Sequence, residues 1–316
     1  MSTVALLGPQ RHHPTLVDVF RRVGASGPVA AVTAGWEERE DEIDELTEHL
    51  GCEVVNLRLH GRTEHIFQRD PEFLAGWQER RAQIRDGRNL YRSRLHHAME
   101  AVRGLAARPE SELVAAELAD ALETVRDLDA RHVAYVDAVQ AEFAERWKPH
   151  ERESVALQIE RIAELMDDCD SVAFAGGHVG VLRNRLRLFR IADLIGERPL
   201  VAWSAGAMCV TDRIFIFHDS PPQGGRDPIV LDRGLGLCPG VVALPHAARR
   251  LRLDDTRRVA LLAQRIAPRA GVALDDASSG LLFDGSGIEL LGAGARRLLL
   301  DGSVREMTRF EETVEC

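Results

Sequence analysis

The sequence predicts an α/β protein, a parallel β-sheet with helices on both faces, into which a long helical hairpin is inserted. Three observations predict it. Short, continuously apolar runs recur, most of them ending in glycine or in small residues, as strands buried on both faces should. Amphipathic segments separate them at the spacing of βα units. Between Pro71 and Pro149 this rhythm stops, and two long stretches of helical periodicity replace it.

The first strand is Val4–Leu7, closed by Gly8-Pro9; Leu16, Val19, Phe20 and Val23 then follow at helical spacing up to Gly24. Residues 29–33 form the second strand, ended by Ala34-Gly35. Residues 37–50 read as one acidic helix with Ile43, Leu46 and Leu50 on a face, and 54–57 as the third strand. Residues 71–104 and 110–148 read as two helices joined around Arg108-Pro109, the second roughly 50 Å long at 1.5 Å per residue. Beyond Pro149, Ile159, Ile162, Ala163 and Met166 mark a helix face, 171–175 a strand ending in Gly176-Gly177, and Leu182, Leu186 and Phe189 another helix. Leu200–Trp203, 241–244 and 271–274 are further strands, and 280–300 is hairpin-like β structure with glycine turns. The domain reading is therefore an α/β unit of 1–70 and 150–316, interrupted by a hairpin of 71–149.

The two hairpin helices differ in charge. Residues 72–103 carry seven arginines and four acids; residues 110–145 carry two arginines and ten acids. An antiparallel pair would be self-complementary. The apolar stripe of the second helix (Leu118, Leu122, Val125, Val136, Val139, Phe143) exceeds what Phe73, Leu74, Trp77, Ile84, Leu90, Tyr91, Leu95 and Met99 can cover. The remainder should meet the α/β body or a second subunit, as a lid or a homodimer contact.

Composition limits the function classes. The 316 residues are 45% hydrophobic and 28% charged with a net charge of −10, which suits a globular chain and argues against nucleic acid as partner. No run approaches the ~18 apolar residues of a membrane helix, and the N-terminus has neither basic leader nor cleavage pattern, so the expected location is cytoplasmic. Cys52, Cys169, Cys209, Cys238 and Cys316 are scattered and form no CxxC pair, which suits reduced thiols. Lys148 is the only lysine; every other basic side chain is arginine.

The strongest chemical signal is the strand Leu200–Trp203 running into Ser204-Ala-Gly-Ala-Met. A strained strand-to-helix turn flanked by small residues lifts a serine hydroxyl above a sheet, the nucleophile elbow. Ala202 stands where the common motif has glycine, and an ordinary helix N-cap is the competing reading of Ser204. A serine needs a base held by a third group. His246 follows the strand 241–244, and Asp275-Asp276 follow 271–274, where loops of α/β sheets carry active sites. His218 closes an apolar run and reads as a solvated loop residue. The order Ser204, His246, Asp276 is nucleophile, base, acid, which disfavours the α/β-hydrolase fold with its nucleophile, acid, base order. Cys209, more than a helical turn past Ser204, is a poor substitute nucleophile. Arg183, Arg185 and Arg226 could each fork onto a substrate carboxylate, although the abundance of arginine favours a solvated role for each. The pairs His12-His13 and His96-His97 lack chelating i, i+4 spacing. Gly234-Leu-Gly-Leu is no dinucleotide fingerprint, and no Walker loop is present. Neither metal nor cofactor is expected.

Together, Phe174-Ala-Gly-Gly-His-Val, Ala202-Trp-Ser-Ala-Gly-Ala-Met, Gly234-Leu-Gly-Leu-Cys-Pro-Gly and Leu274-Asp-Asp resemble peptidase family S51, the aspartyl dipeptidases and cyanophycinases of the class I glutamine amidotransferase-like superfamily. The likeness is loose over residues 4–57 and closer over 165–292; the segment 71–149 departs from it. It implies a flavodoxin-like three-layer sheet and a serine hydrolase acting on a small peptide or amide. Ser204 would be the nucleophile, His246 the base and Asp276 the acid, with Asp275 the alternative, where the family tends to have glutamate. Gly177 and Ala205 would supply the oxyanion N–H groups, and His178 would lie near substrate. The competing functions are a non-catalytic binding or regulatory protein on this fold, and an esterase or acyltransferase using the same triad.

Overall fold

Alternation along the central strands decides the layering. In β1 (Val4–Leu7), Ala5 and Leu7 point to one face of the sheet and Val4 and Leu6 to the other, and all four are buried. The computed structural model describes residues 3–218, 227–275, 279–284, 287–292 and 294–307. Its other strands are β2 (Val29–Val32), β3 (Val54–Asn56), β4 (Ser171–Phe174), β5 (Leu200–Trp203), β6 (Arg213–Ile216), β7 (Ile229–Arg233), β8 (Val241–Pro245), β9 (Ala270–Leu274), β10 (Ser279–Phe283), β11 (Ile288–Gly292), β12 (Arg296–Leu298) and β13 (Val304–Glu306). The main sheet has the order β11-β10-β1-β5-β4-β2-β3. Its five strands from β1 to β3 are parallel, and β10 lies antiparallel on β1.

The helices are α1 (Leu16–Arg22), α2 (Asp44–Leu50), α3 (Leu59–Arg69), α4 (Pro71–Ala106), α5 (Glu112–Trp147), α6 (Glu153–Asp167), α7 (Val179–Leu188), α8 (Ile191–Leu194), α9 (Ala205–Val210), α10 (Ala247–Arg250) and α11 (Thr256–Ile266). Leu16, Val19 and Phe20 of α1 and Leu46 and Leu50 of α2 cover one face of the sheet; Ile66, Ile162, Leu182 and Leu186 cover the other, through α3, α6 and α7. This is the three-layer α/β arrangement that the sequence predicts.

Three features differ from the sequence reading. The strands after residue 240 do not extend the main sheet: β8 and β9 pair in parallel within a second sheet, β13-β12-β9-β8. The acidic helix expected over 37–50 is broken. Glu37 takes φ 57°, ψ −122° inside a 3₁₀ turn (Ala34–Arg39), and the helix starts only at Asp44. A tertiary contact explains the break: the Glu40 carboxylate accepts from the His60 and Gly61 N–H groups, 2.8 Å each, satisfying the otherwise open N-terminus of α3. Burial raises the Glu40 carboxyl above its ordinary value despite those bonds. Finally, α3 and α11 are helices that the sequence reading left unassigned.

The hairpin helices α4 and α5 hold 36 residues each. Asp70 caps the first by accepting from Phe73 N–H at 3.0 Å, and Ser111 the second by accepting from Val114 N–H at 3.2 Å. At the base, Phe73, Trp77 and Phe143 join the main core. Further out, Tyr91, Leu95, Val102, Leu122 and Val125 form a cluster that includes Leu261 of α11. The apolar stripe is thus covered by the α/β body as well as by α4. The expected charge pairing between the helices is corrected: among the described residues only Arg146–Glu79 bridges them. The acids of α5 instead reach the body, Asp129 to Arg265 and Asp137 to Arg233.

Candidate active site

The carboxyl ends of β2, β4 and β5 converge on one edge of the main sheet, and each ends in a turn built of small residues. Ser204 follows β5 directly. Its N–H continues the ladder by donating to Leu7 O at 3.1 Å, and its backbone then turns sharply with φ 52°, ψ −116°. For a side chain this backbone region is strained, typically by ~1–3 kcal/mol, and persists only where its surroundings impose it. They do so through tight packing: a Cβ on Gly206 would stand 2.2 Å from Phe174 O. Although Ser204 occupies the N-cap position of α9, its side chain makes no capping bond. The hydroxyl instead lies 3.0 Å from His246 Nε2. The N-cap reading therefore fails, and the elbow geometry holds with Ala202 fully buried in the place of glycine.

His246 arrives from the second sheet. It ends β8 in the left-handed region, φ 59°, ψ 29°, and its N–H donates to Leu274 O of β9 at 3.0 Å. Ser204 and His246 are both half-buried, so the pair is reachable yet held by two separate sheets. Asp275 lies at the end of β9. One carboxylate oxygen accepts from Ala248 N–H at 2.5 Å and the other from Arg296. Asp276 lies outside the described residues, as does Arg226.

The glycine pair after β4 faces the serine. A Cβ on Gly176 would come within 3.1 Å of Ser204 Cβ and 3.3 Å of Oγ. Gly177 has φ 105°, and a Cβ there would meet Gly35 O at 2.2 Å, so the turns after β2 and β4 can stack only as glycines. His178 N–H donates to Gly35 O at 2.7 Å and locks the two turns together. Among the described residues, the N–H groups of Gly177 and Ala205 have no backbone acceptor. The His178 side chain caps α7, its Nδ1 accepting from Val181 N–H at 3.1 Å.

Arg183 and Arg185 overturn the solvated reading. They are 8% and 7% exposed. Arg183 donates to Arg233 O at 2.8 Å, and Arg185 reaches Glu64 at 3.4 Å. Sequence reasoning also missed Arg80 on α4, which is 4% exposed beside them. Burial pushes the Cys209 thiol up to about 12, so it holds no thiolate near neutrality. Among the described residues no three His, Cys, Asp or Glu side chains converge as metal ligands, and no helix is long and apolar enough to cross a membrane.

No protein-family model and no curated protein matches the chain. Among solved structures, the crystal structure of a peptidase from an acI-B1 Actinobacterium is similar over 98% of this chain and 96% of that one, at 14% identity and a TM-score of 0.46.

Proposed function

We propose that the protein is a serine hydrolase, resembling S51 peptidases, that cleaves a small peptide or amide through an acyl-enzyme on Ser204. The observation that carries this reading is the 3.0 Å contact between Ser204 Oγ and His246 Nε2, made from a strained elbow at the carboxyl edge of a parallel sheet. Strain of that kind at a half-buried turn is costly to maintain unless the hydroxyl it presents is used.

In this reading the Ser204 oxygen attacks the scissile carbonyl carbon while His246 Nε2 takes the hydroxyl proton. The carbonyl oxygen becomes an oxyanion that accepts from Gly177 and Ala205 N–H. Such donors matter because they address charge that exists only in the transition state, and each is typically worth ~10²–10³ in rate. Collapse expels the amine, which takes the proton from His246, and water then repeats the sequence on the ester. Asp276 is the proposed acid behind His246. In support, both carboxylate oxygens of Asp275 are already engaged by Ala248 and Arg296, which suits a residue that positions α10, the helix following His246.

Residues of α4 and His178, which follows the glycine turn, line one cleft, and such a wall beside the turn favours small substrates or chain ends over folded proteins. A panel of short peptides and aminoacyl anilides tests the function. Wild type should turn over at least one, and Ser204→Ala should lose that turnover while unfolding at an unchanged temperature. Turnover that survives Ser204→Ala, or turnover confined to esters, would overturn the amide reading.

A further inference from the structure

A cleft of about 750 Å³ separates α4 of the hairpin from α7 and from the turns after β2 and β4. Six arginines and four carboxylates line it, an excess of two positive charges. Its innermost cation, Arg80, stacks on Trp77 at 3.7 Å and on Phe143 at 4.4 Å from the ring centroids. Its guanidinium meets only neutral amides, Gln140 Oε1 at 3.2 Å and Asn184 Oδ1 at 3.5 Å, and its Nε is buried without a partner. Arg185 lies against the same Trp77 ring, 5.5 Å from its centroid, and its Nε is also buried and unpartnered.

The same chain shows how a structural buried arginine is satisfied. Arg265 donates twice to Asp129 at 2.7 Å, to Pro228 O at 2.6 Å and to Tyr91 Oη at 3.0 Å. Arg183 likewise has two backbone carbonyls. Arg80 is buried with no carboxylate partner, and Arg185 has a single longer ion pair, to Glu64 at 3.4 Å. Burying a guanidinium beside its like without a paired carboxylate, as at Arg80, is expensive, and burial and neighbouring arginines depress Arg80 to about 9. Both residues line a cavity large enough for a small molecule.

We propose that this cleft binds a phosphoryl dianion, free or carried on a small molecule, between Arg80 and Arg185. The excess of two charges matches a phosphate group near neutral pH, whose second ionisation lies near ~6. Planar forks suit its oxygens. The cleft wall includes His178, the residue after Gly177, so a bound ligand would border the glycine turn. The inference does not depend on Ser204 being a nucleophile.

Calorimetric titration at fixed ionic strength tests it, with inorganic phosphate, phenyl phosphate and malonate as probes. Both phosphates should bind to wild type and to Ser204→Ala alike. Arg80→Met and Arg185→Gln should each weaken binding at least tenfold, while Arg94→Gln, on the exposed side of α4, should leave it unchanged. Phenyl phosphate binding tenfold or more above inorganic phosphate assigns the site to a phosphate-bearing small molecule; equal binding assigns it to the free ion. Should Arg80→Met fail to fold, Arg185→Gln decides alone. No phosphate binding by wild type, binding unchanged in Arg185→Gln, or malonate bound more tightly than either phosphate would overturn the proposal.

Discussion

Removing the Asp129 carboxylate should loosen the hairpin from the body. Asp129 on α5 and Arg265 on α11 form a two-pronged pair whose side chains are 6% and 1% exposed. Tyr91 of α4 completes it, donating to Asp129 at 2.6 Å while accepting from Arg265 at 3.0 Å and from Val230 N–H of β7 at 3.2 Å. One buried network therefore ties both hairpin helices to α11 and β7. Asp129→Ala leaves the Arg265 charge buried without its counter-ion, a change that typically costs about 3–5 kcal/mol. That is a large part of the ~5–15 kcal/mol stability of ordinary domains. Replacing both partners by leucine removes the buried charge altogether, so Asp129→Leu with Arg265→Leu should recover most of the loss. Urea unfolding followed by circular dichroism measures both, and hydrogen exchange should show α4 and α5 losing protection before β1 and β5. A loss below about 1 kcal/mol in Asp129→Ala, or a double variant no better than the single one, would refute the clamp.

Four further outcomes follow from the geometry. Gly206→Val places a branched side chain against Phe174 O, where even a Cβ stands at 2.2 Å; it should abolish hydrolysis and cost at least ~1–3 kcal/mol by overpacking, read from thermal melts. His246→Ala should cost about as much turnover as Ser204→Ala, since such groups act as a unit. Asp276→Asn should cost less than either and more than Asp275→Asn in the same assay, and the reverse ranking would move the acid to Asp275. The salt bridge from Arg152 holds the Asp70 carboxyl below its ordinary range. Its stabilisation is therefore complete above the unfolded-state value, near ~4, and is lost as pH falls through the folded-state value. Unfolding between pH 5 and 2 should show this acid-side decline in wild type, and it should be shallower in Asp70→Asn.

What the sequence disclosed depended on how local the signal was. The strands ending at Leu7, Val32, Phe174 and Trp203 announce themselves by apolar runs and small residues, and Ser204 by its place after one of them. The hairpin shows in periodicity and in its caps. Pairing between strands is not local, so nothing in residues 241–245 and 270–274 reveals that they form a separate sheet, although the loops they carry still bring His246 to Ser204. The broken helix at Glu37 and the start of α3 share one cause, a Glu40 carboxylate borrowed across 20 residues. α3 itself carries few apolar residues and an internal Gly61, leaving no clear stripe to read. In α11 the signal was present: Asp255 caps it, and Val259, Leu262 and Ile266 follow at helical spacing. Arginine burial was the least legible feature. Arg80, Arg183 and Arg185 look like surface residues in a chain with one lysine, and partners distant in sequence bury them: Phe143 for Arg80, the Arg233 and Gly234 carbonyls for Arg183, Phe67 and Trp77 for Arg185.

The most direct test of the central claim is to locate a covalent adduct. Protein treated with a fluorophosphonate is digested, and the modified peptide is sequenced by mass spectrometry. An activated serine reacts, whereas ordinary hydroxyls do not. The account predicts one adduct, on Ser204, formed in wild type and absent in both Ser204→Ala and His246→Ala. Folded wild-type protein that takes up no label, or label on another residue that persists in Ser204→Ala, would contradict it.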